Sequence, residues 1–235
     1  MGFFDFLAEL ESYADNPASI SRMNARHGFL IEPLKNDIKD ARVFDIASHD
    51  GRWAYAFADA GAKYVVGVEA RQTLIDRFDS FPDEHLRQKV ELRCNDLFDE
   101  LDSEARKGET YDVVSVFGIF YHIMDHFRLL KAVHALRPKV IVLDSEFVDI
   151  SNPVIQLVRE NTGKDLNAVA QIEGQEMAVV GYPSFRALEV MADAIGYQVE
   201  WYDWNALPKD QRTGVQDYFR STGIRRGTCV MWPRN

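Results

Sequence analysis

The chain has 235 residues, 46% of them hydrophobic, and carries 27 Lys and Arg against 37 Asp and Glu, a formal net charge of −10. That length suits one hydrophobic core with additions and leaves a second domain cramped, so residues 1–235 are expected to form a single domain. The acidity argues against a broad phosphate-binding surface, and no apolar run approaches the roughly 18–20 residues of a membrane span. Nucleic acid is therefore disfavoured as a partner and a membrane is not expected. Met1 to Leu10 has no basic segment and no small-residue cleavage site, which points to a cytoplasmic protein. Cys94 and Cys229 lie in apolar runs without metal or redox spacing, and both are expected to be buried and reduced.

In chain order, Phe3, Phe6, Leu7 and Leu10 recur at helical spacing, predicting an amphipathic helix over 3–14 that Asn16-Pro17 stops. Residues 20–38 read as one or two further helices carrying Arg22, Arg26 and His27, so 1–40 forms a helical addition. Val43 to Ala47 is an apolar strand, Ser48 to Gly51 a tight turn, and Arg52 to Ala60 a helix with Trp53, Phe57 and Ala60 on one face. Tyr64 to Glu69 is the next strand. This β-turn-α-β unit is a nucleotide-binding half. A carboxylate at the tip of its second strand, Glu69, stands where a ribose can offer two hydroxyl donors to one acceptor-only group.

Leu74, Ile75 and Phe78 mark a helix ending near Pro82, and Val90 to Cys94 is a third strand followed by Asn95-Asp96-Leu97-Phe98. Tyr111 to Phe117 is nearly all apolar, as a central strand covered on both faces should be. Then come Gly118 to Asp125, with Tyr121-His122 in a turn and Asp125 as N-cap, and a helix through Leu129, Leu130, Val133 and Leu136 that Pro138 ends. His126 and His134 on that helix read as surface groups. Lys139 to Leu143 is a fifth strand, with Asp144-Ser145-Glu146 at its carboxyl end. Residues 148–184 leave the regular pattern as an insert, with a helix expected over Pro153 to Asn161. A helix through Leu188 and Ile195, closed by Gly196, precedes two last strands, Val199 to Trp204 and Gly227 to Trp232. Trp201, Tyr202 and Trp204, with Tyr182 and Phe185, are expected near the mouth of a pocket, packing being the default for each ring.

The run Val43-Phe44-Asp45-Ile46-Ala47-Ser48-His49-Asp50-Gly51 resembles the first motif of the class I methyltransferases that use S-adenosylmethionine, with Ala47 and His49 in place of two of its three glycines. Gly118 to Asp125 resembles their fourth motif, and the match in order and spacing covers residues 41–147. The resemblance implies a Rossmann-like α/β fold. Its seven-stranded sheet would be mostly parallel with one antiparallel edge hairpin and helices on both faces, the helical addition would lie over the site, and the insert after the fifth strand would cover the substrate. It implies a cofactor site at Asp45, Ala47, Ser48, His49, Gly51, Trp53, Glu69, Asn95, Asp96, Leu97, Phe117 and Gly118, with Asp96 accepting from the adenine amino group. Arg22 or Arg26 would meet the cofactor's carboxylate, the alternative for each being a solvated charge on a surface helix. The replaced glycines lower the odds of a dinucleotide instead.

Methyl transfer to an alcohol needs the acceptor held in line and its proton removed, which singles out His122, Asp144 and Glu146. His122 or Glu146 is expected as the base and Asp144 as orienter or ligand. His122 as a structural turn residue is the alternative, as is a divalent ion such as Mg²⁺ on Asp144 and Glu146. The acidic composition suits a neutral polyhydroxy or cationic small molecule better than an anion, so a sugar-type hydroxyl is the expected acceptor. A nitrogen acceptor, a transfer RNA and a cofactor-binding scaffold without turnover are the other readings, and a homodimer is compatible with all of them.

Overall fold

A computed structural model describes residues 2–164 and 167–234. The strands are β1 (Arg42–Ile46), β2 (Tyr64–Glu69), β3 (Val90–Cys94), β4 (Val113–Phe117), β5 (Val140–Val148), β6 (Ile155–Asn161), β7 (Met177–Pro183), β8 (Tyr197–Trp201) and β9 (Ile224–Pro233). The helices are α1 (Pro17–Leu30), α2 (Lys35–Ile38), α3 (Arg52–Asp59), α4 (Gln72–Ile75), α5 (Glu84–Arg87), α6 (Leu97–Lys107), α7 (His126–Ala135) and α8 (Phe185–Ala194). Seven strands form one sheet in the order β3-β2-β1-β4-β5-β9-β8, parallel from β3 to β5 and antiparallel at β5-β9-β8. This is the Rossmann-like arrangement expected. Strand order reverses between β1 and β4, which opens a crevice at their carboxyl ends.

Each face of the sheet is covered, which is why β4 is buried at all five positions. Val43 and Val65 face α3 and the N-terminal segment, whereas Phe44, Ile46, Val66 and Val68 face α6, α7 and α8. Phe4 and Leu7, both fully buried, tie the N-terminal segment down; each contributes roughly 1.5–3 kcal/mol. That segment is a 3₁₀ helix over Phe3–Glu9 followed by turns, shorter than the helix expected over 3–14. Asn16 opens the next helix, its side chain accepting from the Ser19 N–H at 3.1 Å with Pro17 at the first helical position.

The expected helix over Pro153 to Asn161 is instead β6, paired antiparallel with β7 in a two-stranded sheet. Alternation decides it: Val158 and Glu160 turn inward, while Ile155, Leu157, Met177 and Val179 face outward. Two further expectations are corrected. Cys94, on the sheet edge, is exposed, whereas Cys229 is buried and both are free thiols. His126 is buried at the start of α7, where its ring nitrogens lie 2.9 Å from the carbonyls of Met124 and Gly181. It therefore joins α7 to the hairpin. Among the described residues no helix is long and apolar enough to cross a membrane.

Candidate active site

The turn after β1 sets one wall. Ala47, His49 and Gly51 have φ values of 54°, 55° and 78°, so the backbone keeps the left-handed geometry of three glycines although two of the residues carry side chains. Two close approaches explain where glycine was retained. A Cβ on Gly51 would lie 2.7 Å from the Phe78 ring, and one on Gly67 of β2 would lie 2.8 Å from Ser48 Cβ. A left-handed non-glycine residue costs ~1–2 kcal/mol, part of which glycine's freedom in the unfolded chain would cancel. Ala47→Gly should therefore stabilise the protein by about 1 kcal/mol. Thermal unfolding would show this as a rise in Tm of about 2–4 °C, and a fall would show that the turn does not strain Ala47.

Glu69 closes this turn from β2: its carboxylate accepts the N–H of His49 and of Arg71, each at 3.1 Å, one on each oxygen. Each oxygen retains acceptor capacity. Two adjoining cavities of about 330 and 370 Å³ run from here along the crevice. Ala47, Glu69, Ile119 and His122 line both. Asn95, Asp96 and Leu97 line the first, while His49, Trp53, Phe117, Gly118 and Glu146 line the second. The insert supplies the outer wall at Asn167, whose carbonyl accepts from Arg71 at 2.9 Å. Asp96 has a second task, capping α6 through the N–H groups of Phe98 and Asp99 at 2.8 and 3.2 Å.

Asp45, Ser48, Gly51 and Asp144 lie behind the cleft and not on it. Asp45 is 1% exposed and accepts from Ser115 Oγ at 2.6 Å. Burial pushes its carboxyl up to about 7, against the Ser115 hydroxyl and the Ala54 N–H. Asp45 therefore ties β1 to β4 through Ser115, its Oδ2 having no partner among the described residues, and Ser48 and Gly51 shape the loop.

Asp144 is fully buried and saturated. Oδ1 accepts from Arg26 Nη2 at 2.7 Å and Arg226 Nε at 2.6 Å, and Oδ2 from Tyr218 Oη at 2.7 Å and Thr228 Oγ1 at 2.6 Å. Burial alone would raise its pKa, but the two guanidiniums and two hydroxyls outweigh that and hold it well below the usual carboxylate range. The expected role of Asp144 as orienter or metal ligand at the acceptor is corrected accordingly: its lone pairs are spent on two arginines and two hydroxyls. A divalent ion beside Glu146 does not fit this donor set, and the described residues hold no cluster of three His, Cys, Asp or Glu suited to a metal.

His122 lines the second cavity together with Glu69 and Glu146. Its Nδ1 lies 2.6 Å from Glu160 Oε2, which also accepts the Ala168 N–H at 3.1 Å. A carboxylate only accepts, so Nδ1 carries the proton and Nε2 keeps its lone pair; Nε2 has no protein partner among the described residues. Burial lowers the His122 pKa and Glu160 partly opposes this. The Glu146 carboxylate likewise has no hydrogen-bond partner among the described residues, although it stands opposite Arg226 in the β5-β9 pairing.

Five arginines line the second cavity: Arg22, Arg26, Arg52, Arg71 and Arg226. Arg22 is spent on Asp217 in a two-pronged pair at 2.7 Å, and Arg52 on the buried Asp50, which also accepts from Tyr13. Arg26 lies 5.0 Å above the Trp53 ring. Arg226, Arg71 and Glu160 are residues that sequence reasoning missed. Strand pairing was the available signal for Arg226, since a β5-β9 register that aligns it with Glu146 also brings it to the cleft. The ring cluster of Phe185, Trp201, Tyr202 and Trp204 instead lines a separate depression of about 280 Å³, with Arg226 alone of the five arginines reaching both.

A family model for a methyltransferase domain matches residues 17–202. No curated protein matches the sequence. Similar solved structures include the N-terminal domain of EvdMO1 in the presence of SAH and D-fucose, 16% identical with a TM-score of 0.62 over 94% of this chain and 84% of that one. A putative S-adenosylmethionine-dependent methyltransferase from Listeria monocytogenes is 12% identical, with a TM-score of 0.62 over 90% of this chain and 99% of that one. DhpI in its SAM-HEP complex is 18% identical, with a TM-score of 0.54 over 97% of this chain and 94% of that one. At such identities the likeness carries the fold.

Proposed function

Because the chain belongs to the methyltransferase-domain family, with the fold of the class I S-adenosylmethionine-dependent enzymes, we propose that it moves a methyl group to a hydroxyl of a small molecule, a sugar being the acceptor class. The observation that carries this reading is His122. Its proton is fixed on the Glu160 side, and its free nitrogen opens on the cleft at the tip of β4. A sugar acceptor draws support from EvdMO1, whose N-terminal domain was solved with D-fucose present.

The residues fit the cofactor. Glu69 would take the ribose hydroxyls, Asn95, Asp96 and Leu97 would border the adenine, and Arg26, whose buried Nε has no partner among the described residues, would receive the carboxylate. Bound there, S-adenosylmethionine supplies a methyl already activated by its sulfonium. The remaining work falls to the protein. Phe117 and Gly118 would border the donor, Glu146 would accept from a neighbouring hydroxyl of the acceptor, and His122 Nε2 would take the proton of the attacking hydroxyl as its oxygen–carbon bond forms and the sulfur–carbon bond breaks, with SAH as the leaving group.

Hydrogen bonds to a charged group are worth ~1.5–3 kcal/mol each. Glu69→Ala should thus weaken S-adenosylmethionine binding about 100-fold, read by calorimetry on cofactor-free protein. Unchanged affinity would remove the ribose from Glu69. Turnover is tested with labelled donor and pooled sugars, where methyl appearing only on amines would overturn the hydroxyl assignment.

A further inference from the structure

Glu160 can keep the proton of His122 on Nδ1 only if the carboxylate is itself held in place. Its Oε2 lies 2.6 Å from His122 Nδ1 and accepts the Ala168 N–H at 3.1 Å, so one oxygen serves both. The carbonyl of the same peptide unit, on Asn167, accepts from Arg71 Nη2 at 2.9 Å. A trans peptide is planar, and its N–H and C=O point in opposite directions. The Asn167–Ala168 peptide is therefore a crossbar with Arg71 at one end and Glu160 at the other. We propose that Arg71 is a positioning residue for the base: by holding that peptide it aims the Glu160 carboxylate at His122. This rests on the reading of His122 as the group that takes the acceptor's proton.

An arginine that merely offset the charge of Glu69 would be placed differently. Arg71 Nη1 is 3.8 Å from Glu69 Oε1, beyond hydrogen-bond reach, whereas the guanidinium's bond to the Asn167 carbonyl is 2.9 Å. The side chain is thus spent on a backbone carbonyl of the insert. The crossbar has its own supports there: Ala168 packs against Ala178, Val180 and Tyr182, and Asn167 Nδ2 donates to the Asn161 carbonyl at 2.9 Å. Asn161 ends β6, one residue after Glu160, so the peptide and the carboxylate it orients stand on one short stretch of chain. On the other side, the backbone N–H of Arg71 donates to Glu69 at 3.1 Å. Contacts therefore run without a gap from the carboxylate assigned to the ribose, through Arg71, the peptide and Glu160, to His122. Arg71 and Asn167 line both cavities, which places this chain of contacts along the cleft wall.

The test is nitrogen NMR of the imidazoles in the full chain, free and with SAH, His122 being identified by the signals lost in His122→Gln. In the parent protein the Nδ1–H form of His122 should exceed the Nε2–H form about tenfold or more. Arg71→Met, which keeps the length and removes the donors, should cut that preference about threefold or more, toward the value in Glu160→Gln. It should also speed hydrogen exchange at the Ala168 amide about tenfold. Arg71→Lys, which keeps one donor, should retain part of both effects of the parent arginine. Parent-like signals from His27 and His126 report that a variant is folded, and Arg71→Gln, shorter and without the guanidinium, decides the question if the methionine variant is not. A tautomer ratio and an Ala168 exchange rate both unchanged would overturn the inference, and a fall in SAH affinity alone would mean that Arg71 serves only the donor. Failure of SAH to bind the parent protein would remove the methyl-transfer reading, while the comparison in the free chain would still decide whether Arg71 aims Glu160.

Discussion

Asp144→Ala is expected to cost about 3–5 kcal/mol of stability, the typical penalty for removing one partner of a buried ionic cluster. The loss is large because the carboxylate satisfies four donors at once, from α1, β9 and the Tyr218 turn. Its removal leaves Arg26 and Arg226 buried with like charges and no countercharge between them. Denaturant unfolding measures this directly. Asp144→Asn, which keeps the shape and one acceptor oxygen, should cost less than alanine. The folded-state pKa of Asp144 is depressed, so its stabilising contribution is complete above the ordinary carboxylate value of ~3.9 and is lost as pH falls through the folded value. A loss under about 1 kcal/mol for alanine would mean that the cluster is solvated and that Asp144 does not organise the arginines.

His122→Gln should lower kcat by about 10²–10⁴ while leaving SAH affinity nearly unchanged, because a general base acts on the transition state and not on the bound cofactor. The glutamine still donates to Glu160 but offers no basic nitrogen. The pH profile supplies a second readout. Burial puts the pKa of His122 below its ordinary value, so the neutral base persists into mildly acidic solution and the acid limb of kcat/KM falls below ~6.5. Glu160 favours the imidazolium, so Glu160→Gln should move that limb lower still and slow the reaction as the tautomer is released. An acid limb unmoved by either change would assign the base elsewhere, with Glu146 next in line.

The nucleotide-binding half was legible because its signals are local. Apolar runs, a tight turn and an acid at a strand tip need no partner to be recognised, and Glu69 lines the cleft. Ala47 and His49 looked like a degraded glycine motif, yet the chain holds both in the left-handed region, since the turn geometry comes from packing on β2 as well as from residue type. Long-range pairing was less readable. In Ile155–Asn161 the alternation is short and only half-buried, and pairing with Met177–Pro183 is what makes it a strand that delivers Glu160 to His122. Asp144 and Glu146 share one side of β5, but the sequence does not show that two arginines, one more than 80 residues ahead and one more than 80 behind, would claim the first and leave the second free. The overall charge likewise does not show where charges fall: acids dominate the count, yet five arginines line the second cavity, most of them paired with carboxylates.

A crystal structure with SAH bound is the most direct measurement of the central claim. The two ribose hydroxyls should each lie about 2.5–3.0 Å from a Glu69 oxygen, with the sulfur turned toward the space between His122 and Glu146. A ribose bound away from Glu69, or SAH seated outside the crevice between β1 and β4, would contradict the account.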